Sequence, residues 1–257
     1  MERFADARSR INWAKKDVAN FERCAKRFFK NTKPALITEL EPDGIHELHK
    51  FRLGKKLPTA LTQNTITACE HLRAALDLLA VKVARLANVP DELVRYIHFP
   101  FSATVTDFKS RLNGKACQPL PDGIKTLFAS YEPYAGGSDL LWAINELANT
   151  SKHDSIIHVG FKSGVALPFL ETTDALHLPI EIMEGVTDSA ENEIVFARTQ
   201  SGLKWKYHLQ IAFGISFGKI ERIEGKEIQP NLVGMVKAVT TIVNETEAKC
   251  LALGLFN

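Results

Sequence analysis

LKWKYHLQIAFGISF, residues 203–217, decides the class of fold. Leu203, Trp205, Tyr207, Leu209, Ile211, Phe213, Ile215 and Phe217 put an apolar residue at every odd position, the period of two by which a strand turns one face to a core. Lys204, Lys206, His208 and Gln210 fill the opposite face, so this strand, or bent pair of strands, is wet on one side and belongs to an antiparallel sheet. Ile157, Val159 and Phe161 begin the same alternation upstream. Pro230 then opens a closing helix whose apolar stripe is Leu232, Met235, Val236, Val239, Ile242 and Val243, free to pack on helices or sheet.

Before Asp154 the period is helical. Phe4, Ala7, Ile11, Ala14, Val18, Phe21, Ala25 and Phe28 alternate steps of three and four, which predicts a long amphipathic helix ending before Pro34. Its coiled-coil-like seam is also suited to pairing two copies, which makes a homodimer through this first helix an expectation. Glu41-Pro42-Asp43-Gly44 is a turn signal between two strand-like runs and predicts a hairpin at about 35–53. Pro58 and Thr59 open a second helix reaching about Asn88, with Ile66, Cys69, Leu72, Leu76, Leu79 and Val83 as its apolar face. A short helical turn at 92–97, an extended Phe99-Pro100-Phe101 anchor and a mixture of loop and helix over 105–132 follow. Ser138 caps a helix from Asp139 to about Lys152, whose last turns carry Asn149, Lys152 and His153. The expected fold is α+β: a bundle of about four helices with a small hairpin insertion over 1–155, then an antiparallel sheet with a closing helix over 156–257. No Pro/Gly/Ser-rich linker separates the two parts, so one compact unit is expected.

Composition removes several classes. With 257 residues, 45% hydrophobic, 15 Gly, 11 Pro and 4 Cys, the chain is neither disordered, collagen-like nor a disulfide scaffold. Cys24, Cys69, Cys117 and Cys250 form no CxxC pair, and His46 and His49 lack a third ligand, so no metal or cofactor is called. Gly136-Gly137-Ser138 lacks the Lys of a P-loop, and Ser163-Gly164 has no GxSxG frame. The charged start Met1-Glu2-Arg3 is unlike a signal peptide, and Asp77, Lys82 and Arg85 interrupt the most apolar helix, so no bilayer span and a cytoplasmic location are expected. The net charge of +2 hides a partition. Residues 1–153 hold 23 basic and 17 acidic groups, and residues 1–33 alone hold ten and four. RNA or another anionic partner is therefore expected on the helical half.

Leu57-Pro58, His71-Leu72-Arg73-Ala74-Ala75-Leu76-Asp77, Phe99-Pro100-Phe101, Tyr131-Glu132-Pro133-Tyr134 and Asn149-Thr150-Ser151-Lys152-His153 follow one another along the chain. Together they resemble an uncharacterised bacterial family with an LRxALD, FP, PY, NxxKH pattern, over roughly the first 155 residues. The family has Asn, His and Arg where this chain has His71, Leu78 and Asp154. A more distant likeness is to HEPN helical domains, many of them metal-independent ribonucleases. Asn149 and His153 match the polar and His positions of their motif, while Ala148 stands at its Arg.

Metal-free RNA cleavage needs a group near neutral pKa and a cation beside the phosphorane. His153 would move the proton, and Lys152 and Arg73 would supply the cation. Asn149, one turn before His153, would orient it, and Asp77 would hold its tautomer. The same residues equally make a polar network that locks two helices in register, or recognises a small ligand without catalysis.

Overall fold

A computed structural model describes residues 3–153, 160–166, 180–188, 193–202, 210–218 and 220–256. The elements run α1 (Ala5–Asn31), β1 (Pro34–Leu40), β2 (His46–Leu53), α2 (Thr59–Leu86), α3 (Asp91–Val94), α4 (Val105–Asn113), α5 (Asp122–Ser130), α6 (Asp139–His153), β3 (Gly160–Ala166), β4 (Ile180–Asp188), β5 (Glu193–Gln200), β6 (Gln210–Ser216) and α7 (Ile228–Ala252). The fold is α+β: N-terminal helices, antiparallel sheet and a C-terminal helix. No helix among the described residues is long and apolar enough to cross a membrane. The chain divides into two compact units, one of Met1–Glu22, Thr62–Ile156 and Gln229–Asn257, the other of Arg23–Leu61 and Ile157–Ile228.

In the first unit α2 is the central helix. Ala68, Cys69, Leu72, Ala75, Leu76, Leu79, Ala80, Val83 and Ala84 are all fully buried, an apolar surface wider than one stripe. Each buried leucine contributes about 2 kcal/mol over its exposed state. The α1 seam from Phe4 to Phe28 is buried within the single chain. The α7 stripe is buried as its spacing requires, and contacts place it in the helical unit: Cys69 Sγ lies 4.0 Å from Met235 Sδ, and Arg8 donates to Asn244 at 2.9 Å and Glu247 at 2.6 Å. A Cβ on Gly234 would stand 3.3 Å from Leu140 Cδ1, so glycine lets α7 approach α6 closely. Phe99 packs on Phe101 and Phe128 with ring centroids 4.9 and 5.0 Å apart, which makes the Phe-Pro-Phe segment an anchor.

The second unit holds a four-stranded sheet in the order β1-β2-β5-β4 and a separate β3-β6 pair, every pairing antiparallel. The hairpin forms as its turn predicts, with Pro34 opposite Leu53 and Leu40 opposite Glu47. The other edge of β2 carries β5, so the hairpin is part of the sheet, a partner that local alternation does not name. Of the deciding stretch, Ile211, Phe213 and Ile215 fall in β6, Ile215 and Phe217 are buried, and 203–209 lie outside the described residues.

One ionic chain crosses three strands. Glu193 on β5 is only 4% exposed and accepts from Arg52 Nε at 2.6 Å and Lys50 Nζ at 3.2 Å on β2, while Lys50 also donates to Glu39 on β1 at 2.6 Å. Burial opposes ionisation of Glu193, but the bonds from Arg52 and Lys50 outweigh it and hold the carboxyl below its ordinary value. Phe51 stacks on Phe196 at 4.5 Å between the same two strands. His49 is buried there, with Nε2 2.8 Å from the Thr199 hydroxyl and Nδ1 3.4 Å from that of Thr38.

Two outcomes follow from this sheet. Burial pushes the His49 imidazole below its ordinary 6.5, so the unfolded state binds the extra proton first. The contribution of neutral His49 is complete above that value and is lost as pH falls through the lowered folded pKa; denaturant titrations across this range should show the loss, and His49→Gln should flatten it. Glu193→Gln leaves two cations without their shared carboxylate and should cost roughly 3 kcal/mol in the same assay.

Candidate functional site

His71, Arg73 and Asp77 lie at the margins of the buried surface of α2, and each meets a different neighbour. Arg73 and Asp77 are four residues apart and share a face; His71 sits on the other side of the helix. Arg73 Nη1 donates to Asn149 Oδ1 at 2.5 Å, across from α2 to α6. Asn149 is placed by the buried residues before it, Leu141, Ile144, Leu147 and Ala148, which hold that helix against the core. Asp77 Oδ1 accepts the backbone N–H of Phe99 at 3.0 Å and lies 3.9 Å from His98 Nδ1, so this carboxylate ties the Phe-Pro-Phe segment to α2.

Arg73 and Asn149 are thus brought together, while Asp77, on the same face of α2, engages a different segment. Among the described residues Arg73 makes no ion pair with Glu70 or Asp77, although all three share a helix face. Among the described residues its guanidinium meets a neutral amide, and its Nε is buried with no hydrogen-bond partner. Lys152 and His153 close α6; their side chains lie outside the described residues, as does Asp154.

His71 belongs to a second cluster that motif reading missed. Arg10 Nη1 lies 3.3 Å from its Nδ1, Asp17 Oδ2 lies 3.7 Å from its Nε2, and the Trp13 ring meets it edge-on at 5.3 Å. The Arg10 guanidinium also sits 4.9 Å over Trp13, and that indole is 44% exposed. Burial pushes the Asp17 carboxyl up, with the charge of His71 opposing it. The signal was present in the spacing, since Arg10, Trp13 and Asp17 at i, i+3 and i+7 share one face of α1.

Other candidates resolve into packing and ion pairing. Tyr131 donates to Glu245 at 2.6 Å, and Tyr134 packs on Phe108 with centroids 5.1 Å apart. Both tyrosines anchor the loop before α6. A Cβ on Gly137 would lie 2.5 Å from Glu132 O, so this glycine is required by close backbone approach, and Ser138 Oγ accepts the Leu141 N–H at 3.4 Å as the helix cap. His46 and His49 part company: His49 is the buried sheet residue above, while His46 joins Glu41 and Asp43 with ligand atoms all within 4.8 Å of one another. Arg198 already supplies the cation there, at 2.6 Å from Glu41 and 3.4 Å from Asp43, so the trio reads as an ion-paired turn.

The chain matches no family model, no curated protein and no solved structure. Loss of the interhelical amide leaves the charged Arg73 unmet, so Asn149→Ala should lower stability by about 2 kcal/mol, seen as a drop of several degrees in melting temperature.

Proposed function

We propose that the protein is a non-catalytic binding protein in which Arg73 and Asn149 tie α2 to α6 and the remaining donors of Arg73 receive a small anionic ligand. The observation that carries this reading is that, among the described residues, the guanidinium meets a neutral amide and no carboxylate, with its Nε buried and unpartnered. A structural arginine is ordinarily neutralised by Asp or Glu, whereas an acceptor arriving from solution would satisfy Nε and charge together. Asp77, which the catalytic reading assigns to an imidazole tautomer, here accepts a backbone N–H. A homodimer through α1 would have to use the outward face that carries Trp13, since the seam is covered within one chain.

Asn149→Asp separates these roles. The new carboxylate neutralises Arg73, so its folded pKa is held below the unfolded value of about 3.9, and the added stability is present above that pH and lost as pH falls through the folded pKa. Near neutral pH the variant should melt higher than wild type. It should also lose the thermal stabilisation that sulfate, acetate or succinate gives the wild-type protein. Equal stabilisation of both proteins, or none in wild type, counts against the proposal. Cleavage of single-stranded RNA by the wild-type protein, abolished by His153→Ala, would replace it with a metal-independent ribonuclease that uses His153 as acid and base.

A further inference from the structure

We propose that the second unit binds a phosphoryl group in the cleft between the end of α1 and the end of β2. This cleft, about 480 Å³ in volume, is lined by Lys30, Asn31, Thr32, Lys33, Gly54 and Lys55. Three features define the site: two point to an anion, and one fixes the cleft that would hold it. The first is charge: residues 23–33 and 54–61 hold seven basic groups and no acidic one. Lys30, Lys33 and Lys55 are exposed and form no ion pair among the described residues. The carbonyl end of α1 offers roughly half a negative charge, which is small against three full positive ones.

The second feature is an orphaned donor. Thr32 lines the cleft while only 7% exposed, and its hydroxyl has no hydrogen-bond partner among the described residues. A buried hydroxyl is costly to leave unpaired, and a ligand oxygen would satisfy it. The third is a rigid frame. Phe28 and Leu53 are buried together with Phe29 and Leu57 packed against them, which seats the end of α1 on the end of β2. Pro34 opposite Leu53 then sets Lys33 and Gly54 side by side, and a Cβ on Gly54 would lie 3.9 Å from Lys33 O.

The lysines select the class of ligand. Ammonium groups act as point charges with rotatable donors, which suits the tetrahedral oxygens of a phosphoryl group; a planar carboxylate is better matched by the fork of an arginine. The volume falls in the range of small-molecule sites, and the exposed cations equally suit a phosphodiester backbone. The chemistry recognised is the same in both. This inference goes beyond the reading of Arg73 and uses none of its residues, so either can fail alone.

The test is binding of pyrophosphate, by calorimetry, and of a short labelled oligouridylate, by fluorescence anisotropy, to the full chain at near-physiological salt. Thr32→Val keeps every charge and replaces the unpaired hydroxyl with a methyl, so its melting temperature should be equal or higher while affinity falls roughly fivefold, the worth of one hydrogen bond. Lys33→Gln with Lys55→Gln should weaken binding by about tenfold or more. Should the oligonucleotide bind, the same pair should reduce the slope of log affinity against log salt by about 1.4, at about 0.7 for each lost phosphate contact. Saturable binding of pyrophosphate assigns a phosphorylated small molecule, and binding of the oligonucleotide alone assigns a nucleic-acid backbone. The proposal is overturned if neither probe binds, or if Thr32→Val binds as wild type does, which would leave only diffuse attraction to surface lysines.

Discussion

A helix with nine fully buried side chains between Ala68 and Ala84 can exist in water only if other helices wrap it, and the first unit is organised by that demand on α2. Polar residues at the edge of such a surface are partly buried and find partners on whatever packs beside them. His71 meets Arg10 and Asp17 on α1, Arg73 meets Asn149 on α6, and Asp77 meets the backbone of Phe99. Each is at once a register device for one neighbour and a site of concentrated charge. Arg73 differs from the other two because, besides meeting an uncharged amide, it has a buried donor with no hydrogen-bond partner among the described residues. That asymmetry singles it out among residues whose packing roles are otherwise alike.

The second unit meets a different constraint. A hairpin alone is marginal in water, and β2 is stabilised by adding β5 along its free edge and β4 beyond that. Because the side-chain period is two, a slip of one residue would turn Phe51 and Phe196 out of their stack and carry Glu193 away from Arg52 and Lys50. The buried carboxylate and the aromatic pair specify one register by opposite means, electrostatic and apolar. The Lys50 link to Glu39 extends the same fastening to β1.

Much of the element list was legible because it is written in local periodicity. The seam of α1, the stripe of α7, the turn at Pro42-Asp43-Gly44 and the cap at Ser138 each follow from residues close in sequence. The polar site was legible in part. Short motifs drew attention to Arg73, Asp77 and Asn149 but could not say that Arg73 and Asn149 would touch while Asp77 served a backbone N–H. The Arg10, Trp13 and Asp17 face was visible at helical spacing, yet nothing in α1 alone distinguishes a face that greets His71 from one that greets water.

Sequence by itself determined α1, the first hairpin, α2, α6 and α7, and that the positive charge lies in the N-terminal part, because these depend on near neighbours and on simple counting; β4 and β5 carry no such local signature. Tertiary structure alone decided that the hairpin lies against β5, that the closing helix joins α1, α2 and α6, and that Lys30, Lys33 and Lys55 line one cleft with the buried Thr32, whose hydroxyl has no partner among the described residues. The reason is physical. Periodicity states that a face must be covered, but the choice of cover depends on shape, register and charge contributed by residues far away in the chain.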